Sequence, residues 1–361
     1  MPSGSREDDK LISIIIVNNN PGSLLSRTVR SNLDSNYTAN WIELVLDDDN
    51  NPQNTSLDNF QANLENRLTI PSNQVIIRND ENEEWCKTIN IGLAKTQADI
   101  IIFSNSDVVN STDAITKKTW HLNSNNELRI YQFSLLLRFG EPEVLATYLD
   151  PLGYAYNFMV NRAILVSFDK TVAIAVKHNV MNRVGISLPD YFMEYEDQVF
   201  WGALLYGFKI LSALDAIAQH YRGKCEKPVY FIRERRVYLY TTNHIFTINN
   251  LQLHNPLHFL LQIFFIKLLE ALLALVAKRN FTLSLKIVGG IVALFQLLRS
   301  RRKNSAKLRL RSISIKEVLK YFEPFMPLRQ LNYLTHQEAG KRHLFNNQVL
   351  LKILAAKGMM C

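Results

Sequence analysis

Leu11-Ile-Ser-Ile-Ile-Ile-Val17, running directly into Asn18-Asn-Asn-Pro-Gly22, is the stretch on which the fold turns. Seven residues that are nearly all β-branched or aliphatic leave no face for solvent, as expected of a strand buried on both sides in a parallel sheet. The Asn/Pro/Gly cluster then ends it in a loop. Ser23 to Leu33 carries Leu24, Leu25, Val29 and Leu33 on helical spacing, and Trp41-Ile-Glu-Leu-Val-Leu46 reads as a second strand stopping at Asp47, Asp48 and Asp49. This is a βαβ unit. Gln74 to Arg78 predicts a third strand, about Trp85 to Thr96 a helix, and Asp99 to Phe103 a fourth strand ending at Ser104-Asn-Ser-Asp107. Strands alternating with helices imply a doubly wound α/β sheet with right-handed crossovers, whose ligands meet the carboxyl ends of the strands. The polar clusters at Asn18 to Asn20, Asp47 to Asn50 and Ser104 to Asp107 all fall at such ends.

Further along, Arg129 to Leu137 and Thr171 to Val176 read as strands that extend the sheet in mixed orientation. The character changes after Lys224. Pro256 to Ala277 is apolar but holds His258, Gln262, Lys267 and Glu270, and Leu283 to Leu298 is a second apolar segment with Lys286 and Gly289-Gly290. The first is long enough to cross a bilayer, yet a lysine at mid-span costs roughly 2.5–3.5 kcal/mol on insertion. Two amphipathic helices lying in the membrane interface fit better than a spanning hairpin, which pairing of Lys267 with Glu270 keeps open, and better than a soluble helical bundle. The organisation expected is an α/β domain over residues 1–245, in two halves over 11–110 and 111–245. A membrane-associating helical region over 246–311 and a helical tail over 312–361 follow.

The chain has 361 residues, 47% hydrophobic and 20% charged, and a formal charge of +8 that is unevenly spread. Arg299, Arg301, Arg302, Lys303, Lys307, Arg309 and Arg311 form a basic block free of acids directly after the apolar segments. Without interleaved aromatics to stack bases, that block suits anionic lipid headgroups better than nucleic acid, with a solvated tail as the alternative. Cys86, Cys225 and Cys361 are too far apart for a disulfide framework or a metal cluster, so a reducing, cytosolic side is expected. The polar stretch Met1 to Lys10 and the short apolar run after it lack the proportions of a signal peptide, and export is not expected.

Carboxylates at the ends of two parallel strands, Asp47 to Asp49 and Asp107, suit either a hard cation or a ribose edge; they also suit solvated turns and helix caps. Asp190-Tyr-Phe-Met-Glu-Tyr-Glu-Asp197 sets four acids among aromatic residues before a helix-like stretch. A carboxylate there suits a general base toward a hydroxyl, or a cap.

Taken in order, these segments resemble family 2 of the inverting GT-A glycosyltransferases, particularly its rhamnosyltransferase-like branch, over roughly residues 11 to 245. Ile14 to Asn20 resembles the family's first strand and Val-Asn-Tyr-Asn loop, which puts Val17, Asn18 and Asn20 against the nucleotide sugar. Glu43 to Asn50 is similar to the strand ending in Val-Asp-Asn and places Asp48 on the base or ribose. Arg78 to Asn82, followed by Thr88 to Gly92, resembles the Arg-Asn-x-x-Asn and Asn-x-Gly segment and assigns Arg78 and Asn90 to the donor. Phe103 to Val108 resembles the Asp-x-Asp motif in its Asn-x-Asp form, with Ser106 beside the donor and Asp107 on the metal. Asp190 to Asp197 is similar to the Tyr-Phe-Met-x-x-Glu-Asp motif, making Asp197 the base and Glu196 its neighbour. Ala216 to His220 resembles the last strand, whose His220 faces metal or diphosphate, and Arg235 in Glu234-Arg235 resembles a phosphate contact.

The resemblance implies a GT-A fold, Rossmann-like with a mixed, mainly parallel sheet flanked by helices. It implies Mg²⁺ or Mn²⁺ as cofactor and transfer from a UDP-, dTDP- or GDP-linked sugar to a lipid-linked or cell-surface glycan at the cytoplasmic face of the cell membrane. A Trp-Arg pair usual after Glu-Asp stands here as Trp201-Gly202, so a GT-A module that binds a nucleotide sugar or scaffolds without catalysis is the alternative. A nucleotidyltransferase would need a Gly-rich, Lys/Arg-bearing phosphate loop after the first strand, and Asn18 to Gly22 offers none.

Overall fold

The computed structural model describes residues 10–18, 24–37, 42–48, 74–79, 84–137, 140, 142–144, 146–149, 155–158, 164–166, 172–184, 207–221, 238, 241–242, 256–276 and 279–301. Within them the chain opens with β1 (Ile12–Asn18), α1 (Leu24–Leu33), β2 (Ile42–Asp48), β3 (Gln74–Arg78), α2 (Glu84–Leu93) and β4 (Ile100–Asn105). All seven residues of β1 are buried, because the strand lies between β2 and β4 and is covered on both faces. β1 pairs in parallel with β2 and with β4, and β2 in parallel with β3. The doubly wound half read from the sequence is therefore present, with β2 running two residues past Leu46 because Asp47 and Asp48 pair with Ile77 and Arg78.

Next come β5 (Val108–Asn110), α3 (Ala114–Ser124), β6 (Leu128–Leu137), β7 (Pro142–Val144), β8 (Ala146–Leu149), β9 (Ala155–Phe158), β10 (Ile164–Val166), β11 (Ala173–Lys177), α4 (His178–Val184) and β12 (Lys209–His220). The sheet runs β10-β12-β6-β11-β4-β1-β2-β3, with β5 on β12, β7 on β6, and β8-β9 as a separate pair. The expectation of a mainly parallel sheet needs correction. Among the described residues four strand pairings of the large sheet are parallel and five antiparallel, since β11 enters antiparallel between β4 and β6. Of the antiparallel pairs only β6 and β7 are consecutive, and the four residues between them are too few for the crossover that parallel neighbours need.

α1 buries Leu25, Thr28, Val29 and Asn32 at helical spacing. Its polar members fasten the segment after β4. The Thr28 hydroxyl donates to the Ser106 carbonyl at 2.8 Å, the Asn110 side-chain amide donates to Asn32 Oδ1 at 2.8 Å, and the Asn110 backbone N–H donates to Ser31 Oγ at 3.1 Å. On α2, Gly92 lies so close to the sheet that an added Cβ would stand 2.8 Å from Ile15 Cγ2 and 3.5 Å from Val45 Cγ1. Ile15 is β-branched, fully buried and held on both sides, so it has little room to yield. Gly92→Ala is expected to destabilise the protein by about 1–2 kcal/mol despite the better helix propensity of alanine. A lower urea midpoint at unchanged slope checks this, and an unchanged midpoint would show that α2 can move off the sheet.

α3 packs across β6 and β12. Between Ser212 and Ile217 β12 advances five residues while β6 advances only two, from Gln132 to Ser134. That bulge frees Asp215 to meet α3: His121 Nε2 lies 2.8 Å from Asp215 Oδ2, the Tyr131 hydroxyl donates to Asp215 Oδ1, and His121 stacks on the Tyr131 ring at 4.9 Å. Burial alone would push the Asp215 carboxyl up, but the hydrogen bonds from His121 and Tyr131 outweigh it and hold the group well below the usual carboxylate range. A carboxyl depressed in the folded state stabilises the fold above its unfolded pKa of about 3.9 and loses that contribution as pH falls through its folded value. Asp215→Asn is expected to cost about 1 kcal/mol at pH 7, a figure reduced for a side chain 42% exposed, and to melt with less acid sensitivity below pH about 4 than the wild type. Parallel melting curves from pH 7 to 2 for the two proteins would contradict this.

Two helices close the described chain, α5 (Pro256–Val276) and α6 (Phe281–Arg301), packed on each other. Arg279 turns between them with φ of 48°, and Asn280 caps α6 by accepting the Leu283 N–H at 2.9 Å. That cap explains why α6 starts earlier than the apolar run from Leu283 suggests. Ala271, Ala274, Ile287 and Ile291 are buried, and Lys267, also buried, donates to Glu270 Oε2 at 2.9 Å. Burial pushes the Lys267 ammonium down, and Glu270 opposes that shift. Gly290 admits the segment before α5: its carbonyl accepts from the Thr242 hydroxyl at 3.3 Å, and a Cβ there would stand 2.8 Å from Thr241 Cβ. No helix among the described residues is long and apolar enough to cross a membrane.

Candidate active site

Strand register gathers the first set of candidate residues. Asn18 at the end of β1 lies opposite Asp48 at the end of β2, and Asp48 opposite Arg78 at the end of β3, so the three form one row across the carboxyl edge of the parallel half. Val17 lies opposite Asn105, the last residue of β4. Such an edge is where open α/β sheets bind nucleotides. Asn18 is fully buried and Val17 is 7% exposed, so both serve the edge mainly as packed framework. Asn90 sits about 9 Å along α2 from its first residue, and its carbonyl accepts the Ala94 N–H; the register does not bring it to this row.

The second set is built by a chain reversal. β4 ends at Asn105, Ser106 and Asp107 form the turn, and β5 returns antiparallel to β12 with Val108 opposite His220. The Asp107 carboxylate and the His220 imidazole, far apart in sequence, thereby face each other with Oδ1 and Nε2 3.4 Å apart and side chains 14% and 11% exposed. The turn is held from both sides by backbone groups: the Ser106 carbonyl accepts from Thr28, and the Asp107 carbonyl accepts the Tyr221 N–H at 2.9 Å. Ser106 itself is buried.

A carboxylate oxygen and an imidazole nitrogen at this separation are close to the roughly 3 Å between neighbouring ligands of an octahedral Mg²⁺-like ion. No group of three or more His, Cys, Asp and Glu side chains that could hold a metal occurs among the described residues. A carboxylate–imidazole pair suits a divalent ion that also takes substrate phosphates and water as ligands. Asn20, Glu196, Asp197 and Arg235, together with Trp201 and Gly202, lie outside the described residues.

One feature at this turn was not anticipated from the sequence. Tyr221, directly after His220, donates its hydroxyl to Gln219 Oε1 at 3.1 Å and accepts from Arg27 Nη2 at 2.8 Å, with the guanidinium 4.6 Å from the ring centroid. The only sequence signal was that Arg27 has no acid three or four residues away, whereas Arg30 has Asp34.

Residues 13–147 match the model of the family described as Glycosyl transferase family 2, a span that takes in the parallel half and the Asp107 turn. No curated protein matches the sequence. Among solved structures, GalNAc-T7 with UDP, GalNAc and Mn²⁺ is similar over 65% of this chain and 51% of that one, at 15% identity and a TM-score of 0.50. The chain thus spans about half the length of that protein, and the likeness shows the fold: a mixed, curled α/β sheet of the GT-A kind. The mannosyltransferase PcManGT from Pyrobaculum calidifontis, in complex with GDP-Man and Mn²⁺, gives a TM-score of 0.49 at 11% identity, covering 79% of this chain and 87% of its own. S. aureus TarS, residues 1–349, gives 0.47 at 15% identity over 67% and 66%. The family match supports a transferase enzyme.

Proposed function

We propose that this protein is an inverting glycosyltransferase that moves a sugar from a nucleoside diphosphate donor to an acceptor hydroxyl at a membrane surface. The observation that carries the reading is the pairing of Asp107, which lies inside the segment matched by the family model, with His220 of β12 beyond that segment, beside the carboxyl edge of the parallel strands. Mn²⁺ is present in the GalNAc-T7 structure. Asp107 and His220 would hold Mg²⁺ or Mn²⁺, which supplies positive charge against the diphosphate as it leaves. The row Asn18, Asp48 and Arg78 is suited to the nucleoside, with Asp48 offering an acceptor to ribose or base. Asp197 takes the proton of the acceptor hydroxyl while that oxygen bonds to the anomeric carbon; the carbon's bond to the diphosphate oxygen breaks, its electron pair leaves with the nucleoside diphosphate, and configuration inverts.

The acceptor side of the proposal rests on α5 and α6. Their outer faces expose Phe265, Leu269, Val276, Phe281, Leu285 and Val292, while Lys267 is buried and pairs with the partly exposed Glu270. A helix pair that turns this many large apolar side chains outward suits a lipid environment. The basic block from Arg299 to Arg311 continues directly from α6, so an anionic lipid surface is the occupant that matches both apolarity and charge. The hairpin would lie in the plane of a cytoplasmic leaflet, presenting the site to a lipid-linked or surface glycan.

A panel of UDP-, dTDP- and GDP-sugars, incubated with Mn²⁺ or Mg²⁺ and then with EDTA, tests the reaction. Nucleotide release that needs metal identifies the donor. Nucleotide binding without turnover under any condition would point to a sugar-nucleotide-binding scaffold instead.

A further inference from the structure

Arg27 stands out among the described cations because it is fixed in place yet lacks a counter-charge. It is exposed in the first turns of α1, and among the described residues its side chain makes no ion pair and one hydrogen bond, to the Tyr221 hydroxyl at 2.8 Å. Arg30, three residues on, lies 4.0 Å from Asp34, which is the ordinary arrangement on a solvated helix face. The Tyr221 ring meets the Arg27 guanidinium directly, and two neighbouring bonds brace the ring and the helix. The guanidinium lies 4.6 Å from the Tyr221 ring centroid, the Tyr221 hydroxyl is itself engaged by Gln219 at 3.1 Å, and the adjacent Thr28 ties α1 to the Ser106 carbonyl at 2.8 Å. The place is specific as well. Tyr221 follows His220, and its backbone N–H donates to the Asp107 carbonyl at 2.9 Å, so one residue links Arg27 through its side chain to the turn that carries the candidate metal pair.

A guanidinium has five N–H donors in a planar fork, and Tyr221 uses one of them. The remaining donors match an oxyanion with several acceptor oxygens, and a phosphate is the group that fits a fixed arginine fork. We infer that Arg27, positioned by Tyr221, is a phosphate-binding residue at the rim of the Asp107–His220 site. The phosphate belongs either to the diphosphate of the donor or to a phosphate carried by the acceptor. The inference rests on the glycosyltransferase reading for its ligand, but its geometry does not.

Titrations on the full chain separate the possibilities. Wild type, Arg27→Gln, Arg27→Lys and Tyr221→Phe are titrated by calorimetry, in the presence of Mn²⁺, with UDP, dTDP and GDP, with the matching nucleosides, with inorganic pyrophosphate, and with farnesyl phosphate against farnesol. Arg27→Gln is expected to weaken the phosphate-bearing ligand about 10- to 100-fold while leaving the nucleoside or farnesol unchanged. Arg27→Lys should recover only part of the loss, and Tyr221→Phe should lose several-fold with the charge still present. A loss confined to nucleoside diphosphates and pyrophosphate assigns Arg27 to the donor, and one confined to farnesyl phosphate assigns it to the acceptor. If Asp107→Ala weakens nucleoside diphosphate binding while Arg27→Gln changes none of the phosphate ligands, the inference about Arg27 is overturned and the enzymatic reading stands. Should the wild type bind no nucleoside diphosphate, that reading fails, and the pyrophosphate and farnesyl phosphate titrations still decide the role of Arg27.

Discussion

Asp107→Ala is expected to lower metal-dependent turnover of the nucleotide sugar by about 10³-fold or more, with the protein still folded. The size follows from charge. A divalent ion at the leaving diphosphate contributes several kcal/mol to the transition state, and each 1.36 kcal/mol is tenfold in rate. Asp107 is the negatively charged member of the pair with His220, so its loss removes the main electrostatic hold on the ion. The fold should survive because the turn is fastened by backbone carbonyls, Ser106 to Thr28 and Asp107 to the Tyr221 N–H, and alanine keeps both bonds. EDTA on the wild type should reproduce the loss, and excess Mn²⁺ should not rescue the variant. Turnover of Asp107→Ala at the wild-type rate, with metal still required, would place the metal elsewhere and undo the assignment.

The Phe265→Asp/Leu269→Asp double variant is expected to bind vesicles containing a third phosphatidylserine at least about 100-fold more weakly than the wild type. Phe265 is 63% and Leu269 55% exposed, on the outer face of α5, so neither substitution opens a cavity in the fold. Each removes an apolar side chain whose burial in lipid is worth roughly 1.5–3 kcal/mol and places a carboxylate against a negative surface. Release of nucleotide from the soluble donor should be unchanged, since the site at Asp107 does not involve α5. Sedimentation with phosphatidylserine vesicles and with phosphatidylcholine vesicles separates apolar insertion from charge attraction. A wild type that stays in the supernatant with both, or a double variant that sediments as well as the wild type, would rule out the lipid surface as occupant. Self-association of the wild type lost in the double variant would make a second copy of the chain the occupant.

How far these sites were legible depended on how local the signal was. β1 was read to within a residue of its observed ends because a continuous aliphatic run suits few environments other than a strand covered on both faces. β3 was read at its observed limits, and the length of α5 followed from its composition. Asp107 drew notice as a carboxylate at a strand end, but its union with His220 was available only through resemblance to a family. No spacing rule links two residues brought together by the antiparallel pairing of β5 with β12. The bulge that turns Asp215 toward His121 was not read from the sequence, because it exists only in the register of β12 against β6.

What the sequence by itself determined is the alternation of buried strands and helices in the first half, the polar clusters at the strand ends, and the apolar and basic segments after residue 255. All of these follow from side-chain hydrophobicity and backbone preference over windows of a few residues. Tertiary structure alone decided the insertion of β11 between β4 and β6, the near-even mix of strand directions, and the contact of Arg27 with Tyr221. It also decided the inward facing of Lys267 while its leucine neighbours face out. Each of these depends on which distant segment lies alongside, and that choice is made by packing the whole sheet and hairpin at once, where many pairings of similar local cost compete and only their combined burial separates them.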